Sequence, residues 1–448
     1  MKLRFLLIPL AFLMSSNAFA AAELQRASFK NGVQLIVEED HSAPVAMVQI
    51  WLKVGGRDEL PGKTGLAHVF EHMMFKGSDK LAAGEYSKII SAMGGSDNAF
   101  TSTDYTAYFE TVPAKEVQNV LNMEAERFAN LKLEAKDFAS EIKVIMEERR
   151  MRTEDNASSR MFEELSAASL RLHPYRNPVI GWMQDLETLT IDDVKAFYKQ
   201  HYVPGKVTVV VVGDVDFKEV EKTVAKSFGR MKARAVEPRF NPTEPEPLGP
   251  KRVEVRIPAQ LPMVAMTIPV PSWKPHQNDE QAAAIALATE ILSGGKSAVL
   301  NQVLVNEKRV AMSAGAGYDP FTMGLDVWYA YGDTGIGQPV ADFEQAFWVL
   351  MKKMGSELPD ERLFEAAKRR FIAGAVFAQD SLYLRAKHIG TLETVGISAD
   401  EKDRWITLIR GVTREQVRDA INTWLVPNRA TTGVLIPTEA KPANEVKS

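Results

Sequence analysis

The chain repeats itself on either side of a proline-rich segment, and this duplication narrows the possible folds more than any other feature. Pro44-Val45-Ala46-Met47-Val48 has a counterpart 218 residues later in Pro262-Met263-Val264-Ala265-Met266. Tyr202-Val203-Pro204-Gly205-Lys206-Val207 has one 223 residues later in Leu425-Val426-Pro427-Asn428-Arg429-Ala430. Similar segments at a nearly constant offset mark a duplicated unit. Pro238, Pro242, Pro245, Pro247 and Pro250 lie between the halves among few large apolar residues, which predicts an extended linker. Within the first half, β-branched and alternating apolar residues predict strands at 34–38, 46–54 and 107–112. Amphipathic spacing predicts helices at 65–75 behind an N-cap at Thr64, at 114–130, at 136–152, and from 191 behind Thr190. The expected class is α+β: two homologous domains, each a mostly antiparallel sheet covered by helices.

Chemistry concentrates in the first half. His68-Val69-Phe70-Glu71-His72 puts two histidines four apart, one turn above each other on the same helix face. Both imidazoles can reach one metal ion, and Glu71 lies on nearly the same face as a carboxylate base for an activated water. A third ligand is sought among Glu141, Glu147 and Glu148 on the helix predicted at 136–152. Glu141 and Glu148 are seven apart and share a face, with Val144 and Ile145 between them, so that face is expected to be buried. A buried carboxylate is costly unless it is paired or bound to metal, which points to Glu148 with Glu141 in support. The competing reading is a solvated charge run on a surface helix.

The first twenty residues read as a secretory signal: Lys2 and Arg4, an apolar stretch from Phe5 to Met14 too short to span a bilayer, and Ala18-Phe19-Ala20 as the cleavage site. Periplasmic export without a membrane anchor is expected. Removing Lys2 and Arg4 takes the net charge from −4 to −6, which argues against nucleic acid as a partner. The chain has no cysteine, so stability must come from burial, and metal ligands must be histidines and carboxylates. Gly62-Lys63-Thr64 is not a phosphate-binding loop, because the position that would need its first glycine is Arg57.

His68-Val-Phe-Glu71-His72, followed 76 residues later by Glu148 within Glu141-Ile-Lys-Val-Ile-Met-Glu-Glu148, resembles the inverzincin family of pitrilysin, insulysin and mitochondrial processing peptidase. Asn98-Ala99-Phe100-Thr101, His173-Pro174-Tyr175 and Pro178-Val179-Ile180-Gly181 are similar to further segments of that family. The resemblance implies one Zn²⁺ per chain on His68, His72 and Glu148, Glu71 as catalytic base, and Glu141 supporting a ligand or the base. It implies that substrate adds as a strand beside Asn98, Ala99, Phe100 and Thr101, which favours extended peptides or unfolded polypeptides. Near Ala284 to Glu290, where the duplicated metal helix should fall, there is no histidine, so the second half is expected to lack a metal site. Glu307-Lys308-Arg309-Val310-Ala311-Met312-Ser313 also departs from the family's E-K-R-G-L-A-Y-S by losing the tyrosine, and no second-half residue is assigned to catalysis.

The expected division is a signal peptide at 1–20, a metallopeptidase domain at 21–232, a linker at 233–252 and a metal-free homologous domain at 253–448. Family members that enclose substrate use four such units, so the resemblance implies a homodimer or a heterodimer with a sister chain lacking the metal site. The alternative is a non-catalytic scaffold subunit of the same fold, whose relatives usually lose a ligand; none is lost here.

Overall fold

The computed structural model describes residues 23–439, so the signal peptide expected at 1–20 lies outside the described residues. The first sheet contains β1 (Leu24–Ser28), β2 (Gln34–Glu39), β3 (Val45–Leu52), β4 (Ser96–Thr101), β5 (Thr106–Pro113) and β6 (Val207–Gly213). Its spatial order is β1-β2-β6-β3-β5-β4. Around it lie α1 (Leu66–Met73), α2 (Glu85–Ala92), α3 (Val117–Ala129), α4 (Ala135–Arg149), α5 (Ala157–Ser169), α6 (Met183–Leu186), α7 (Ile191–His201) and α8 (Phe217–Lys226). The second sheet, ordered β7-β11-β8-β10-β9, is built from β7 (Lys251–Pro258), β8 (Met263–Pro271), β9 (Ser313–Gly317), β10 (Leu325–Asp333) and β11 (Thr431–Thr438). Its helices are α9 (Asp279–Ser293), α10 (Val340–Ser356), α11 (Glu361–Ala378), α12 (Leu382–Val395), α13 (Lys402–Gly411) and α14 (Arg414–Trp424).

The protein is α+β, and the duplication extends to topology. Without β1, the first sheet runs β2-β6-β3-β5-β4, the same arrangement as β7-β11-β8-β10-β9. Both sheets are mixed: β2 pairs parallel with β6 and β7 parallel with β11, while the other pairs are antiparallel. The capping box repeats too. Thr190 caps α7 with Asp193, and Thr413 caps α14 with Gln416.

Each sheet is covered on both faces, which is why Val207–Gly213, apolar but for Thr208, can be wholly buried. Val209 and Val211 face the helices of their own half, whereas Val210 and Val212 meet Ala386 and Ile389 of α12. In exchange, α5 crosses to the second sheet, where Met161 and Leu165 pack against Val255, Met263 and Leu435. Each half therefore lends a helix to the other. The proline-rich segment follows a path without helix or strand from 232 to 248 and is tied down along it. Arg239 donates to Asp58 at 2.9 and 2.7 Å, and the Glu244 carboxylate accepts the N–H groups of Arg171, Leu172 and His173.

Candidate metal centre

The site is built on α1. Leu66, Ala67, Val69, Phe70 and Met73 bury one side of this helix, leaving His68, Glu71 and His72 along the side that meets α4 and β4. Phe70 stacks on Tyr198 of α7 at 5.5 Å between ring centroids, which fixes the rotation of the helix about its axis. Thr64, expected to cap α1, does not. Its hydroxyl donates to Asp185 at 2.5 Å and accepts the Trp182 N–H at 2.9 Å. The N-cap is Gly65 at φ +89°, where a Cβ would lie 2.8 Å from the Ile180 carbonyl oxygen, and Glu59 accepts the Gly65 and Ala67 N–H groups at 2.8 and 2.7 Å. The first free donors of the helix are thus served from an upstream loop, a non-local arrangement that no spacing rule reveals.

α4 lies across α1 and presents two of its carboxylates, Glu141 and Glu148, one above the other. Glu148 stands 3.7 Å from His68 Nε2 and 3.5 Å from His72 Nε2. His68, His72 and Glu148 each offer an atom within 4.8 Å of the others, and they are the only such group of metal-binding dimensions among the described residues. Glu141, one face-repeat earlier, hydrogen-bonds His72 Nδ1 at 3.2 Å and pairs with Lys76 Nζ at 2.5 Å. A carboxylate on Nδ1 places the proton there and leaves the Nε2 lone pair facing Glu148. Burial, with His72 and Arg152 nearby, pushes His68 down to about 3, so its imidazole is neutral near pH 7. The His68 Nδ1 is buried without a partner. Two imidazoles and a carboxylate form a donor set that fits a zinc ion.

Glu71 belongs to the same face. Thr101 Oγ1 donates to its Oε2 at 2.5 Å, and burial raises its pKa against that bond. The helix expected at 136–152 keeps α geometry only to Arg149 and then widens into a π-helical turn, Arg150–Glu154. Such turns concentrate at functional sites; within this one Arg152 pairs with Glu148, four residues back, at 2.7 Å. The face carrying Glu141 and Glu148 buries Ile145, whereas Val144 is 48% exposed and does not share it. Glu147 is exposed and pairs with Arg150.

Asn98, Ala99, Phe100 and Thr101 lie on β4, the edge strand of the first sheet, paired only with β5. Strand alternation divides their roles. Phe100 points to Trp51 and Tyr105 on the α12 side, and Thr101 points to Glu71. In the second half, α9 takes the position of α1, packing against α14 as α1 packs against α7, but Ala282 to Ala288 are all buried and no histidine is present. Lys76, Arg152 and Glu59 were not singled out by sequence reasoning. Lys76 and Arg152 each lie four residues past a site residue, His72 and Glu148, and could have been found by helix spacing; Glu59 reaches α1 from a separate loop.

Residues 34–182 match the family model described as insulinase (peptidase family M16), and residues 188–371 match that of the peptidase M16 inactive domain. The chain is 33% identical over 315 residues to the zinc protease PqqE of Helicobacter pylori, in an alignment covering 69% of each. Among solved structures, a protease from Helicobacter pylori matches with a TM-score of 0.87 at 26% identity, over 93% of this chain and 100% of that one. The periplasmic protease PqqL of Escherichia coli shares the fold with a TM-score of 0.74 at 16% identity, over 94% of this chain and 49% of that one.

Proposed function

Because the chain belongs to the peptidase M16 (insulinase) family of zinc proteases, we propose that it is an exported metalloendopeptidase that cleaves extended peptides or unfolded polypeptides. The observation that carries this reading is the convergence of His68, His72 and Glu148 on one point beside Glu71. These three residues would hold one Zn²⁺. When bound, zinc supplies Lewis-acid polarisation of the peptide carbonyl and lowers the pKa of water. Glu71 takes the proton of the attacking water and returns one to the leaving amine. Glu141 holds His72 in the tautomer and orientation that binding requires. The substrate lies as an added strand along the open edge of β4 beside Asn98 to Thr101, so backbone hydrogen bonds rather than side-chain pockets supply most of the recognition.

Four units of this kind would enclose a substrate, and one chain supplies two. That PqqL is about twice as long and matches this chain over half its length supports assembly of this chain as a dimer, with itself or with a sister chain lacking the metal set. Export to the periplasm rests on residues 1–20. The deciding experiment is Glu71→Gln in the species that light scattering identifies in solution. Zinc content should stay at one per chain while cleavage of an extended, internally quenched peptide falls by about 10²–10⁴-fold. Cleavage that survives Glu71→Gln removes Glu71 as the base. A zinc-loaded wild type that cleaves no such peptide in any pairing transfers the chain to the scaffold reading.

A further inference from the structure

Glu71 is a long, flexible side chain asked to keep one oxygen on a reacting water. Only one polar contact among the described residues holds it: Thr101 Oγ1 donates to Oε2 at 2.5 Å, and Oε1 has no protein partner. Thr101 is itself held rigidly. It is the last residue of β4, opposite Thr106 of β5, and the turn that follows closes with the Ser102 N–H donating to the Tyr105 carbonyl at 2.8 Å. The 55–57 loop clamps that turn through Gly56 N–H to Ser102 O and Arg57 N–H to Thr103 O, and a Cβ at Gly55 would lie 2.3 Å from the Ser102 oxygen. Buried Arg57 pairs with buried Asp104 at 3.0 Å, and Arg239 of the linker donates to the Asp104 carbonyl at 2.8 Å. Branching at the β-carbon restricts the Thr101 rotamer, so the direction of its hydroxyl is set by the strand.

We propose that Thr101 is the positioning residue of the base: its hydroxyl, delivered from the edge strand, pins one oxygen of Glu71 and leaves the other for the proton. This rests on the reading of Glu71 as base. It assigns the Thr101 side chain to the enzyme's own machinery, while the backbone of the same strand offers the edge to which substrate adds. One strand therefore sets both the register of the substrate and the aim of the base, so that the bond to be cut and the group that cuts it share a rigid reference.

The test compares Thr101→Val, which keeps shape and removes the donor, with Thr101→Ser, which keeps the donor. Both are made in the full zinc-loaded chain in its solution assembly, with Glu71→Gln in parallel. Removing an outer hydrogen-bond partner of this kind costs about 10–100-fold in activity. Thr101→Val should lose that much in kcat with KM unchanged, and Thr101→Ser should recover most of it. Zinc content and melting temperature should match wild type. In the Glu71→Gln background, affinity for an extended peptide, measured by fluorescence anisotropy, should be the same with threonine or valine at 101. If valine destabilises β4, Thr101→Ala against Thr101→Ser makes the same comparison. Equal kcat for valine and serine variants while Glu71→Gln is inactive overturns the positioning role alone, as does a loss confined to KM or to peptide affinity. An active Glu71→Gln overturns the base assignment and this proposal with it.

Discussion

The imidazole of His72 is held from both sides, by Glu148 facing Nε2 and by Glu141 on Nδ1, with Lys76 in turn holding Glu141. A glutamine at 141 can still bond the ring but offers either its oxygen or its NH2 group, so the charge that sets the tautomer is lost. Glu141→Gln should therefore weaken zinc binding by about 10–100-fold, measured by competition with a chelator of known affinity, with the fold unchanged by circular dichroism. An unchanged affinity would leave Glu141 as a plain ion-pair partner of Lys76. At this scale the sequence was most readable where residues act through helix spacing. His68, Glu71 and His72 follow from one turn of α1, and Glu141 and Glu148 from two turns of α4. The Thr101 bond to Glu71 and the Glu59 cap on α1 join segments whose meeting is decided only by the tertiary fold, and Thr64 satisfied the local rule for a cap while its hydroxyl was used by α6.

Among the elements, the exchanged helices α5 and α12 are what make the two halves one body. Gly390 on α12 is placed against the Trp51 ring, where a Cβ would lie 2.0 Å from the nearest ring atom. Trp51 is fully buried in β3 and cannot retreat. Gly390→Ala should cost about 1–3 kcal/mol in denaturant unfolding; an alanine variant as stable as wild type would mean that α12 is free to shift. The same helix brings Arg385 to Glu38 at 2.9 Å and to Asp40. The Asp40 carboxyl is lowered from 3.8 to about 2, first by Ser42 and then by Arg385. A lowered folded-state pKa stabilises fully above about pH 4 and progressively less as pH falls towards 2. With solvent screening of this surface group, the stability difference between wild type and Asp40→Asn should be at most about 1 kcal/mol at pH 6 and should close as pH falls from about 4 to 2. A gap that is constant with pH would show that Asp40 acts through shape alone. Periodicity located α1, α3, α4 and α7 and β2, β3 and β5 to within a few residues, but α5 was not read from the sequence, and neither was its departure from its own half. An amphipathic helix records that one face is covered, not by which sheet.

For the molecule as a whole, duplication was legible from two short matches, and the structure extends it to strand order, parallel pairings and threonine capping boxes. The asymmetry between the halves was legible as well. Where α1 carries two histidines and a glutamate, α9 carries alanine, leucine and isoleucine, so the candidate metal group among the described residues belongs to the first half. The sequence left the mixed character of the sheets unstated, because parallel β2–β6 and β7–β11 pairings join strands that are far apart in the chain. The proposed function requires one zinc ion between α1 and α4 of the first half only. Anomalous scattering collected on either side of the zinc edge, from crystals of the full chain, tests it most directly. A single zinc peak per chain is expected, bounded by His68, His72 and Glu148 and next to Glu71. A zinc peak on other residues, or zinc-loaded protein with no peak at this position, would contradict it.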